Sequence, residues 1–331
     1  MRTFSIRQEP LFDLVSYGRG GPRQTGGRFT PTQVEQIRRT VHRAPEAVVK
    51  VLPKDANNLG AVRRHLDYIG RRGELDLETD DGDRARGSAA RALLDDWDLD
   101  IDAVRRQSKL SATRGRQPPK IVHKLMFSMP PGTPPEKVLG AVRNFAREEF
   151  WGQHRYAFVL HTDQDHPHVH LVLKAVSEQG VRLNIKKATL RHWRSEFARN
   201  LRLLGVSANA TERAVRGETR EAKKDGIHRA SLRGESIYVR AQAEAVVSEL
   251  LRGGVRAESG KNKLVGTRKA VAISWHDIAH LLDKSGYPDL ANDTRQFVTR
   301  MPPVRTEREL LAVQLSTRAR EQKIRDRKLT R

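Results

Sequence analysis

The sequence predicts an α+β domain over residues 44–206, with a central, mostly antiparallel sheet of five strands flanked by helices. A smaller helical region is expected to follow it. Three observations lead there. The segments "RYAFVLH" and "HVHLVLKAV" are strand-like and separated only by "TDQDHP", the signature of an antiparallel pair. "KIVHKLMFSM" (120–129) alternates like a further strand. Leu190, Trp193, Phe197, Leu201 and Leu204 recur at helical spacing and end at Gly205, a C-cap.

The remaining elements fill in around these. "EAVVKVL" (46–52) is the first strand, and "NNLGAVRRHLDYIGRRG" the helix after it. "ETDDGDRARGSAA" reads as turn sequence, and "ALLDDWDLDIDAVRRQ" as helical. "MPPGTPPEK" opens a helix over 135–150 with proline in its first turn, and Val138, Ala141, Val142 and Phe145 share one side of it. "GVRLNIKKA" is a weaker fifth strand. Outside this domain, residues 1–43 are Gly- and Arg-rich and read as flexible or peripheral. Residues 207–235 are a basic linker, 236–315 a small helical region, and 316–331 a solvated basic tail.

Composition narrows the function. Lysine and arginine exceed the acidic residues enough to give a formal net charge of +22. Such an excess points to a polyanion, most simply nucleic acid. The absence of cysteine excludes disulfides, thiolate catalysis and zinc-finger ligand sets, and fits a reducing cytoplasm. No apolar run approaches the ~20 residues that span a bilayer, so no stable membrane insertion is expected. No phosphate-binding glycine loop is present.

Four of the chain's 12 histidines crowd into "HTDQDHPHVH". Side chains alternate along a strand, so His168 and His170 project from the same face. His161 ends the preceding strand and, across a hairpin, reaches that face too. Three neutral imidazoles can then converge on one divalent ion and leave positions open for phosphoryl oxygens. Asp163 is placed either to fix an imidazole tautomer or to act as a base. His166, held extended by Pro167, stands apart and is a phosphate contact. The alternative is that an H-x-H pair on a strand is incidental.

A metal on a basic protein suggests phosphoryl transfer, which needs a nucleophile. Of the 5 tyrosines, Tyr68 lies off the apolar stripe Leu59, Val62, Leu66 and Ile69 of its helix. It shares its side with Arg64, His65, Arg71 and Arg72, cations suited to a phosphate backbone. An exposed tyrosine on a solvated face is the bland alternative. Tyr156 alternates like a structural strand residue, and Tyr17 sits in Gly-rich sequence. The helix over 188–204 turns Arg191, Arg194, Arg199 and Arg202 away from its apolar stripe. That arrangement suits salt-dependent, poorly sequence-selective binding of a phosphate backbone. Trp193 falls on the stripe and is expected in the core.

Taken in order, "HLDYIGRRGELDLE", "KIVHKLMFSMPPGTPPEKVLGAVRNFAREEF" and "RYAFVLHTDQDHPHVHLVLKAV" resemble three motifs of the conjugative relaxases of the MOB-P class, closest to the VirD-type border-endonuclease branch of the HUH endonucleases. The resemblance covers residues 46–206. It implies an HUH fold and Tyr68 as the nucleophile. It places Ser128 beside the bound strand, His161, His168 and His170 around a Mg²⁺ or Mn²⁺ ion, and Asp163 as the acid of the third motif. It implies nicking of one strand at a plasmid transfer origin, through a 5′-phosphotyrosyl adduct, at the start of conjugative transfer or mobilisation. The partners would be single-stranded and supercoiled plasmid DNA, relaxosome accessory proteins and a type IV coupling protein. The protein would be cytoplasmic in a bacterium and could pass to a recipient attached to DNA. The tail is either a type IV secretion signal or a non-specific DNA-binding end. Relatives often carry Asn where this chain has Lys174. The rival functions are a rolling-circle replication initiator, a hydrolase that uses water, and a non-catalytic DNA-binding protein.

Overall fold

A computed structural model describes residues 29–52, 58–87, 92–93, 95–99, 119–218, 230–231, 233–256 and 258–329. The chain divides into two compact units, His42–Ala210 and a second made of the residues up to Val41 with Thr211–Arg331.

The first unit is built on six antiparallel strands: β1 (Val48–Leu52), β2 (Leu77–Thr79), β3 (Arg84–Ala85), β4 (Val122–Ser128), β5 (Tyr156–His161) and β6 (His168–Lys174). Their spatial order is β1-β4-β6-β5-β2-β3. The apolar residues of the strands alternate between two cores, one on each face. Leu125, Phe127, Phe158, Val169, Leu171 and Leu173 point to one face, which is covered by α3 (Pro135–Phe150) and α4 (Lys187–Leu203). Aromatic rings knit this layer, with Phe127 5.0 Å from Phe145 and 5.2 Å from Phe197 between centroids. Trp193 is buried there, as its place on the α4 stripe predicts.

Val122, Ala157, Val159 and Val172 point to the other face, against Val62, Leu66 and Ile69 of α2 (Leu59–Ile69). The helix starts where the Asn58 side chain accepts from the backbone N–H of Ala61 at 2.7 Å. At its end, a Cβ on Gly70 would meet Leu77 Cδ1 at 3.0 Å and the Leu66 carbonyl at 3.1 Å. A side chain there would force the Leu77 side chain or the helix end to give by a few tenths of an ångström.

The sheet differs from the expected one in composition. It has six strands, not five, and "GVRLNIKKA" is not among them. That stretch meets the sheet through a single bridge, Val176 to Arg182, with Val181 67% exposed. Leu183 and Ile185 pack on the α3–α4 core as an irregular segment instead. The extra strands are β2 and β3, a tight hairpin inside sequence read as turn. They are short, and the acidic residues between them make a turn whose flanking strands are too brief to show a period. Of "ALLDDWDLDIDAVRRQ", residues 94 and 100–107 lie outside the described residues.

The second unit is helical: α1 (Pro31–Val41), α5 (Ile237–Leu251), α6 (Lys261–Lys284), α7 (Pro288–Thr299) and α8 (Glu307–Leu329). Three expectations are revised here. The N-terminal segment is not flexible throughout, because Val34, Ile37 and Val41 of α1 join a core with Val215, Trp275, Ile278, Leu282 and Phe297. The Trp275 indole donates to the Val215 carbonyl at 2.8 Å, so residues after 210 also belong to this core and are not wholly linker. The tail expected from 316 has no boundary there, since α8 runs unbroken through it. Residues 1–28, including Tyr17, and 219–229 lie outside the described residues.

His123 on β4 gives the fold a pH dependence. It donates from Nε2 to the Leu183 carbonyl at 3.3 Å, and its Nδ1 is buried without a partner. Burial, then repulsion from Lys120, Arg182 and His154, pushes its pKa down to about 4, against the hydrogen bond to Leu183. The unfolded chain, with histidine near ~6.5, therefore binds more protons between those values. The stabilisation is complete above pH ~6.5 and is lost as pH falls towards 4. Denaturant midpoints measured across this range should decline with acid, and less steeply in His123→Gln. Parallel curves for the two proteins would refute this role.

Candidate metal centre

Strand register assembles three histidines on the α2 face. His168 pairs with His161 across β5 and with Ser128 across β4. His170, two residues on, points the same way. The ring centroids are 5.2 Å apart for His161 and His168, 4.8 Å for His161 and His170, and 5.2 Å for His168 and His170. One ligand atom from each lies within 4.8 Å of the others, and all three residues are buried.

Their hydrogen bonds fix the tautomers. His161 donates from Nε2 to the Ile69 carbonyl at 2.7 Å, which leaves its lone pair on Nδ1. His168 donates from Nδ1 to the His166 carbonyl at 3.3 Å, which leaves its lone pair on Nε2. His170 Nδ1 is buried with no partner. Burial lowers the pKa of all three; repulsion from Arg71 adds to it at His161, and repulsion from neighbouring histidines adds to it at His168 and His170, taking His170 down to about 3. They are neutral imidazoles at neutral pH, the form that ligates metals. Three nitrogen ligands with further positions open is the donor set of a catalytic divalent ion. The residues present fit such an ion.

The end of α2 stands against this cluster. His65, Tyr68 and Arg71 follow at intervals of three, one above another on the helix and the turn after it. The His65 ring lies edge-on to His170 at 6.1 Å and stacks with Tyr68 at 6.4 Å. The Arg71 guanidinium sits 5.4 Å from the Tyr68 ring centroid, a cation–π contact. It also ion-pairs with Asp163, and its Nη2 lies 3.4 Å from His161 Nδ1. Arg71 and Arg72 both adopt the left-handed region, at φ 50° and 55°. That strain costs about 1–3 kcal/mol per residue, and it folds Arg71 back towards the helix end it has just left. Tyr68 itself is 59% exposed, open to a substrate from solvent.

The other candidate residues divide by place. Ser128 is buried opposite His168. The His166 ring lies 5.5 Å from the His168 ring, closer to the cluster than the sequence implied. Arg64 and Arg72 are exposed on α2 and its following turn. Arg191 and Arg194 sit on α4, which packs on the opposite face of the sheet from the triad. Lys174 is buried at the far end of β6, paired with Val122, and its Nζ reaches Glu178 at 3.2 Å. Two participants escaped the sequence reading. The Ile69 carbonyl is backbone and leaves no side-chain signal. Lys124, buried on β4, lowers the pKa of nearby His65 after burial has done so, to about 3 in all. Its position two residues from Met126, which pairs with His170, was the available clue.

Residues 78–202 match the family model described as relaxase, MobA/VirD2-like, nuclease domain. The matched stretch holds the three histidines and begins after Tyr68. The T-DNA border endonuclease VirD2 of Rhizobium radiobacter is 24% identical over 206 residues. That alignment takes in 52% of this chain and 43% of that protein, so the chain spans less than half of the relative's length.

The geometry makes a calorimetric prediction. Mn²⁺ should bind the full chain, and His170→Ala should abolish that binding. His166→Ala, which keeps its backbone carbonyl for His168, should change the affinity much less. Equal losses in the two variants would mean that the triad is not the ligand set.

Proposed function

The chain carries a relaxase nuclease domain of the MobA/VirD2-like family, and on that premise we propose that it nicks one strand of plasmid DNA at a transfer origin through Tyr68. The observation that carries this reading is the contact chain from the Tyr68 ring, through His65 and Arg71, to the histidine cluster.

The Tyr68 phenolic oxygen attacks the scissile phosphorus, and the 3′ oxygen of the neighbouring nucleotide leaves. A 5′-phosphotyrosyl adduct and a free 3′-OH result. The bond energy is kept in the adduct, so religation needs no nucleotide cofactor. His161, His168 and His170 would hold a Mg²⁺ or Mn²⁺ ion, which when bound stabilises negative charge on phosphoryl oxygens. Arg71 supplies further positive charge beside the attacking group. Burial raises the Asp163 pKa, but Arg71, its own backbone and the nearby histidines together hold it below its ordinary value. A carboxylate held low is a weak base and a strong ion-pair partner. Asp163 therefore orients Arg71, and the proton of the exposed Tyr68 goes to solvent.

His65, His166 and Ser128 adjoin the triad, and together with the exposed Arg64 and Arg72 they are the proposed contacts of the bound strand. Arg191 and Arg194, on the other face, serve DNA away from the nick. No helix among the described residues is long and apolar enough to cross a membrane. In this reading the protein acts in the bacterial cytoplasm with relaxosome accessory proteins. A type IV coupling protein reads the basic end of α8 and passes the adduct to the recipient.

Incubation with supercoiled plasmid carrying the transfer origin and Mn²⁺ should give an SDS-stable protein–DNA adduct. Tyr68→Phe should give none, while still binding single-stranded DNA. An adduct of undiminished yield in that variant excludes Tyr68 as the nucleophile, and nicking without any adduct indicates attack by water.

A further inference from the structure

We infer that Arg71 is a displaceable counter-cation: in the DNA-free protein it occupies the lone pair of His161 that a metal ion requires, and a bound phosphate draws it away. The inference rests on the reading of the triad as a metal site. It begins with the valence of one imidazole. His161 spends Nε2–H on the Ile69 carbonyl, so Nδ1 is its only ligand atom. That same Nδ1 faces Arg71 Nη2 at 3.4 Å. An N–H directed at a lone pair blocks ligation, and a guanidinium at that distance repels a divalent ion entering the site.

Among the described residues no arginine hydrogen bond is made to either of the other two ligands. His168 Nδ1 faces a carbonyl, and His170 Nδ1 is buried without a partner. Arg71 is held in place by the Asp163 carboxylate and the face of Tyr68. Both are partly exposed holds: the Asp163 side chain is 50% accessible and Tyr68 is 59% exposed. A phosphate arriving beside Tyr68 offers the guanidinium a stronger, bidentate partner a short swing away. Once it moves, Nδ1 is free and the repulsion is relieved. Phosphate and metal ion thus favour each other's entry, and the coupling is reciprocal.

The sign of this effect separates it from a structural role. If Arg71 only braced the turn after α2, its removal would loosen the site and weaken metal binding. A competing cation does the opposite. In calorimetric titrations of the DNA-free full chain, Arg71→Ala should bind Mn²⁺ about tenfold more tightly than wild type, within the usual span of site-to-site coupling. Arg71→Gln, which keeps a donor but not the charge, should shift affinity the same way. A single-stranded oligothymidylate should tighten Mn²⁺ binding by wild type and leave Arg71→Ala unchanged. Unchanged or weaker Mn²⁺ binding in both variants, with unaltered circular dichroism, would overturn the inference while His170-dependent binding kept the metal site itself intact. Mn²⁺ binding that is insensitive to His170→Ala would remove the metal site and the inference together.

Discussion

The hydrogen bond from His161 Nε2 to the Ile69 carbonyl, 2.7 Å long, is the contact on which the site depends. It joins the last turn of α2 to the end of β5. The carbonyl belongs to the group that every helix leaves unsatisfied at its C-terminus. Here that orphan acceptor is met by a side chain which is itself a candidate ligand. One bond therefore fixes two things: the tautomer of His161 and the position of the helix end that carries Tyr68. Were it absent, α2 would still pack on the sheet through Val62, Leu66 and Ile69. Its height relative to the histidines would then rest on apolar contact, on the His65–His170 ring contact and on the partly exposed Arg71–Asp163 ion pair.

The sheet supplies the complementary constraint. Alternation gives β5 and β6 an apolar row on one face and a mixed row on the other. The α3–α4 face is filled by large side chains and aromatic rings. The α2 face has apolar residues at one end, Val122, Ala157, Val159 and Val172, and the triad with Ser128 at the other. The proposed active site is thus the polar continuation of a hydrophobic core. Its histidines inherit burial from that core, and burial keeps them neutral. A slip of one residue between β5 and β6 would carry His161 to the α3–α4 face, which is why register matters here more than sequence proximity.

Much of this was legible in the sequence because the informative residues follow simple periods. The H-x-H pair sits on a strand with period two, and a six-residue connection returns the chain so that His161 can join it. Tyr68 declared itself by standing off a well-defined helical stripe. What was not legible depends on tertiary contact. The β2–β3 hairpin is too short for a period and is stabilised by pairing with β5. "GVRLNIKKA" has the composition of a strand, yet its Leu183 and Ile185 find a core without forming a ladder. Arg191 and Arg194 lie off their own helix's apolar stripe, as read. A stripe shows which side of a helix is solvent but not which face of the sheet the helix covers.

Charge completes the argument. The chain is strongly basic, and a site with Arg71 against one of its histidines is a poor place for a divalent cation unless its ligands are neutral and some negative charge stands near. Burial provides the first condition, and Asp163 contributes to the second. Asp163 is also committed to Arg71, so the carboxylate that would welcome a metal is already neutralised by a side chain. A phosphodiester changes that balance, because it brings its own negative charge to the arginines. On electrostatic grounds the site is more complete with its proposed substrate than without it. In the proposed reading, the same positive charge that would attract a DNA strand keeps the free protein from being fully assembled for cleavage.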